Sequence, residues 1–192
     1  MPVGERYPIL PIPWIPEHTE LIPAGVLTIG VGYRVLDEAI AKSYLDEVGY
    51  VRDDGAGGER TYGGHDEGVC IHVLGPPRPG SEAAARGDLV EYLRLDCFDE
   101  EPHYHYVYND ERAQDRVFMD PTLDGDPMEW ALERLRTRMP EVLRKVGAPE
   151  LAEQVDPAAI EAALPEIRDA VDRAFARAER FGVTPGALQG PR

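Results

Sequence analysis

Residues 88–110 read DLVEYLRLDCFDEEPHYHYVYND, and the folding of this stretch decides the rest of the chain. Leu89–Phe98 and His103–Tyr108 are rich in branched and aromatic residues and flank the polar turn Asp99-Glu100-Glu101-Pro102, which predicts a β-hairpin. Side chains alternate along a strand, so Arg94, Asp96, Phe98, His103, His105 and Val107 fall on one side. A two- or four-residue turn pairs Phe98 with His103, Asp96 with His105 and Arg94 with Val107. A three- or five-residue turn would instead set Asp96 beside Tyr104 or Tyr106. The opposite side carries Leu93, Leu95, Cys97, Tyr104, Tyr106 and Tyr108, enough apolar surface to pack against helices.

Working outward, residues 26–33 (VLTIGVGY) and 69–74 (VCIHVL) read as strands and 36–48 as a short helix ended by Gly49. Residues 116–119 (RVFM) suit a further strand. The segment 52–68, RDDGAGGERTYGGHDEG, is a glycine-rich acidic loop without the Gly-Lys-Ser/Thr ending of a phosphate-binding loop, which fits a mobile lid and no nucleotide cofactor. Asp126-Pro127 and Asp156-Pro157 are helix starts, each followed by apolar residues at helical spacing, with a kink or split expected at Pro140 and an interruption at Pro165. Residues 183–192 read as a tail. Strands in the middle and helices at the end predict an α+β fold, an antiparallel meander with the hairpin 88–110 at its centre packed against C-terminal helices. Three regions are expected: a proline-rich extended arm (1–24), an α+β core (25–125) and a helical extension (126–192).

With 192 residues the chain is long enough for one well-buried core. Its formal net charge of -16 and pI near 4.6 oppose a phosphate backbone, so nucleic acid is not an expected partner. There is no signal-like start and no apolar run of membrane-spanning length, so a soluble cytoplasmic protein is expected. Cys70 and Cys97 read as reduced thiols. The apolar arm needs a surface to dock on, either its own core or a second subunit.

The chemistry converges on the polar side of the hairpin. His103, His105 and Asp96 form a two-histidine, one-carboxylate set suited to a divalent metal such as iron, zinc or manganese. His72, Asp110 or Glu111 would add a further ligand if close, and Cys70 lies on the strand face of His72. Arg94 suits a substrate carboxylate because its planar fork binds carboxylates bidentately. Arg94 and Asp96 are thus the candidate catalytic residues, with His72 beside Arg94 for substrate binding. A metal-free ligand pocket and a purely structural hydrogen-bond network use the same residues.

The His-x-His spacing is similar to that of cupins, small β-barrel metalloenzymes, although the glutamate and glycines those proteins carry after the pair do not follow at their spacings here. Residues 91–106, EYLRLDCFDEEPHYHY, resemble the signature of an uncharacterised bacterial family of small proteins, a resemblance that implies no activity and no site. The resulting expectation is a small metal-dependent enzyme, oxygenase-like or hydrolytic, acting on a small anionic or phenolic molecule. The alternative is a non-catalytic ligand-binding or accessory protein that dimerises or docks on a larger enzyme.

Overall fold

The structure, a computed structural model, describes residues 4–50 and 66–181. Most of the glycine-rich loop, His65 included, and the tail 183–192 lie outside the described residues. In chain order the elements are β1 (Glu5–Tyr7), β2 (Thr19–Ala24), β3 (Leu27–Leu36), α1 (Glu38–Glu47), β4 (Asp66–Gly75), α2 (Glu82–Arg86), β5 (Val90–Phe98), β6 (His103–Tyr108), β7 (Ala113–Phe118), α3 (Pro121–Asp124), α4 (Pro127–Lys145), α5 (Pro149–Ala152) and α6 (Pro157–Phe181). The strands form one antiparallel sheet of order β1-β7-β6-β5-β4-β3-β2. This is the expected α+β meander, and the arm adds a strand at each edge. Pro23 is tolerated in β2 because that strand has only one neighbour.

Two aspartates start the long helices as the sequence predicts. The Asp126 carboxylate accepts the Glu129 N–H at 2.8 Å, and that of Asp156 accepts the Ala158 N–H at 2.9 Å. Pro140 does not split α4, and α6 runs through Pro165 without the expected interruption. A proline removes one backbone hydrogen bond, but here the apolar stripe continues past it. Leu135, Met139 and Leu143 on α4, and Ile160 and Ile167 on α6, are all buried against Ile29, Ile71, Leu93 and Leu95 of the sheet. Helices and sheet share that core. The tyrosine side of the hairpin belongs to it: Tyr104 stacks on Trp130 at 5.2 Å, and the Lys145 ammonium sits 4.4 Å from the Tyr106 ring.

The hairpin keeps its expected faces but not its expected register. Asp96 lies opposite His103 and Arg94 opposite His105, two residues away from the tight-turn pairing. The reason is a contact outside the hairpin. The Asp66 carboxylate, on β4, accepts the N–H groups of Glu100 and Glu101 at 3.1 and 3.0 Å, while Asp99 N–H donates to the Glu67 carbonyl. These bonds open the turn. An even shift preserves the side of every residue, so the polar set stays together.

The opposite face of the sheet is covered by the arm and α1. Tyr44 donates its hydroxyl to the Leu10 carbonyl at 2.8 Å, and Arg34 Nη1 donates to the Ile12 carbonyl at 3.3 Å. Such a thin cover leaves space beneath it. On the helix side, where Leu135 is fully buried, Leu135→Ala should lower stability by about 2–5 kcal/mol. Urea unfolding should show a lower midpoint with an unchanged slope; a change under 1 kcal/mol would mean this face is not closely packed.

Candidate metal centre

Two rows of side chains cross the covered face, set by strand register. One runs Gly30, His72, Arg94, His105, Arg116 and Glu5; the next runs Gly32, Cys70, Asp96, His103 and Phe118. Gly30 makes room for its neighbour, since a Cβ there would lie 3.3 Å from the His72 Cβ and 2.9 Å from a Thr19 methyl. A β-bulge between β4 and β5 changes the pattern at one end, with Val73 opposite Leu93 but Leu74 opposite Glu91. The extra residue, Tyr92, turns Glu91 onto the polar face, where simple alternation would not put it.

Asp96 is the hub of the second row. Its Oδ1 accepts the Cys70 thiol, and its Oδ2 lies 3.1 Å from His105 Nε2 and 3.3 Å from His103 Nε2. All three ligand atoms lie within 4.8 Å of one another, and all three residues are buried. Bonds of about 2.0–2.1 Å to a common ion would separate neighbouring ligand atoms by about 2.8 to 3.4 Å, from right-angled to tetrahedral geometry. The two distances to Asp96 fit that range.

His103 makes the strongest case for a cation. Its Nδ1 lies 2.6 Å from the Glu101 carbonyl oxygen, which can only accept, so Nδ1 carries a proton. A neutral His103 then points the lone pair of Nε2 at a carboxylate oxygen. Two acceptors that close require a positive species between them, either a second proton on the ring or a metal ion. A histidine donating its remote N–H to a carbonyl is the arrangement that orients a metal ligand. Phe98 and Phe118, each with its ring centroid 5.6 Å away, confine the ring.

Electrostatics agree with an anionic Asp96. Burial alone would raise its carboxyl, but hydrogen bonds from His103 and His105, with the Arg94 charge, hold it well below the usual carboxylate range. Burial pushes His105 down to about 4, against the pull of Asp96, so this imidazole is neutral near pH 7. His105 Nδ1 is buried without a partner among the described residues, so with no ion bound the neutral ring carries its proton on Nε2 and donates it to Asp96. Burial, followed by the Asp96 charge, raises the Cys70 thiol well above its ordinary value, which keeps it a donor.

The first row is occupied differently from the sequence expectation. Arg94 places Nε 3.0 Å from Glu91 Oε1 and Nη2 2.6 Å from Glu91 Oε2, so its fork is filled from within the chain. His72 Nδ1 meets the same carboxylate at 2.6 Å. Burial would raise the Glu91 carboxyl, yet Arg94 and His72 together bring it to about 2. His72 is therefore held by Glu91 rather than by the triad or Cys70. Asp110 pairs with Arg78 and Glu111 with Arg6, on the β6–β7 side, and neither joins the triad.

A cavity of about 240 Å³ lies over the triad. Arg94, Asp96, His103, His105, Gln114 and Arg116 form its floor; Ile9, Pro11, Ile12, Ala41 and Leu45 form an apolar roof. Sequence reading missed Glu91, Asp66 and Arg34. Nothing local announces the bulge that redirects Glu91, and Asp66 acts on a turn more than thirty residues away. Arg34 had a readable signal, since it shares strand parity with Gly30 and Gly32.

Residues 21–171 match the family model described as Domain of unknown function (DUF7700), and the chain belongs to that family. No curated protein and no solved structure matches it. The matched span holds the whole triad, Cys70, Glu91 and Arg34, but not β1 or residues 9–12 of the roof. No described helix is long and apolar enough to cross a membrane.

The metal-free protein should show an acid limb caused by His105. Its folded value near 4 lies below the ordinary value of about 6.5 in an unfolded chain. Between the two, the unfolded chain holds a proton that the folded chain lacks. Stability from this group is complete above about pH 6.5 and falls toward pH 4, by up to about 1.4 kcal/mol per pH unit. Urea midpoints measured from pH 4 to 7.5 in EDTA should flatten in His105→Gln. Parallel profiles for the two proteins would contradict the assignment.

Proposed function

We propose that this member of the DUF7700 family is a metal-dependent enzyme acting on a small molecule held over Asp96, His103 and His105. The observation that supports this reading is the convergence of two imidazole Nε2 atoms on one buried carboxylate oxygen, with the His103 proton fixed on the remote nitrogen. The three ligand atoms would be Asp96 Oδ2 and the Nε2 atoms of His103 and His105. A divalent ion held there would supply Lewis acidity, a need common to hydrolytic and non-haem oxygenase chemistry.

The remaining residues have definable parts. Cys70 occupies Asp96 Oδ1 and leaves Oδ2 to the metal side. Asp66 holds the peptide N–H groups of the turn whose Glu101 carbonyl orients His103. Arg94, fixed by Glu91, adds positive charge beside Asp96 and His105, and the roof above them is largely apolar. At about 240 Å³ the cavity lies just below the range typical of drug-sized ligands. A substrate with one ring or a short chain fits, with an anionic or phenolic end.

Metal analysis of the purified full chain tests the reading. One equivalent of metal is expected, retained through dialysis and lost in His103→Ala, His105→Ala and the nearly isosteric Asp96→Asn. Added zinc or manganese should raise the melting temperature of the metal-free protein and leave that of Asp96→Asn unchanged, because a ligand that binds only the folded state stabilises it. A folded protein with no metal and no shift would instead identify a closed hydrogen-bond network.

Asp66→Ala should weaken metal affinity about 10–100-fold through loss of His103 orientation, while the fold persists. Competition against a chelator measures the affinity, and an unchanged value would remove Asp66 from the site.

A further inference from the structure

We infer that the cavity binds its ligand by a carboxylate, and that Arg34 is the residue that receives it. Four cationic side chains line the cavity: Arg34, Lys42, Arg94 and Arg116. Three are matched by acids. Lys42 pairs with Asp46 at 3.5 Å, Arg94 with Glu91 at 2.6 Å and Arg116 with Glu5 at 3.3 Å. Arg34 alone has no carboxylate partner among the described residues. Among the described residues its one hydrogen bond runs from Nη1 to the Ile12 carbonyl at 3.3 Å, and within that set Nε and Nη2 are left for a ligand.

The position of Arg34 in the sheet explains how its side chain comes to line the cavity. It lies opposite Gly68, which in turn lies opposite Phe98. Gly68 has no side chain, so nothing rises from β4 between the arginine and the cavity floor. β3 and β5 are two strand spacings apart, roughly 10 Å, and the arginine side chain covers much of that distance. A ligand between Arg34 and the triad is therefore short.

The walls define the rest of the ligand. Ile9, Ile12, Leu36, Leu45 and Phe98 contribute apolar lining, so the body is apolar. The ligand class is a small apolar monocarboxylate, for example one ring bearing a carboxyl group, with its far end over Asp96, His103 and His105. A fork of guanidinium N–H groups meeting a carboxylate distinguishes an acid from its neutral amide of the same shape. This refines the proposed function by naming its substrate class, and the anchor itself is testable without metal.

The experiment is calorimetric titration of the full chain with benzoate and with benzamide, each in EDTA and again after zinc loading. Benzoate is expected to bind at least tenfold more tightly than benzamide in both conditions. Arg34→Gln should bring the two probes within about twofold of each other, and Arg34→Lys should restore part of the preference. Melting curves establish that the variants are folded. Equal binding of the probes, an unchanged preference in Arg34→Gln, or binding of neither probe at millimolar concentration would each overturn the inference. A benzoate preference that survives in EDTA while zinc fails to bind would overturn only the metal reading.

Discussion

The carboxylate of Asp96 is the constraint around which this sheet is organised. A carboxylate buried this deeply destabilises the fold by several kcal/mol unless its oxygens are satisfied. Here partners come from both flanking strands, Cys70 on β4 and the two histidines on β6. Removing the positive or donating groups on either side would leave an uncompensated charge in the interior. The register of three strands is thus tied to the satisfaction of one side chain.

The two faces of the sheet do different work. On one, long amphipathic helices bury the apolar residues of the sheet and supply stability. On the other, a proline-rich segment and a single short helix form a roof that cannot fill the space beneath it, and the cavity results. Polar groups collect there because the strands place them in adjacent rows, while glycines at 30, 32 and 68 keep the β3–β4 side low. The family match covers the floor and α1 but not residues 9–12. The part of the site where chemistry would occur therefore lies within the shared domain, and part of its cover lies outside.

Much of this was legible in the sequence because strand alternation is a strict rule. Arg94, Asp96, His103 and His105 fall on one face under any even register, and the structure brings the last three together. The register itself was not legible, since Asp66 sets it by gripping the turn from another strand. The role of Arg94 was misread for a related reason. A bulge at Tyr92 rotates Glu91 into its fork, and a bulge leaves no mark in a hydrophobic pattern. The helix that runs on through Pro165 shows packing outweighing a local signal that reads as an interruption.

The most direct measurement is anomalous diffraction at the zinc edge from crystals of the full chain grown with zinc. The account predicts one strong peak about 2.0–2.2 Å from Asp96 Oδ2 and from the Nε2 atoms of His103 and His105. A well-ordered triad with no peak, or a peak that avoids it, would contradict the account.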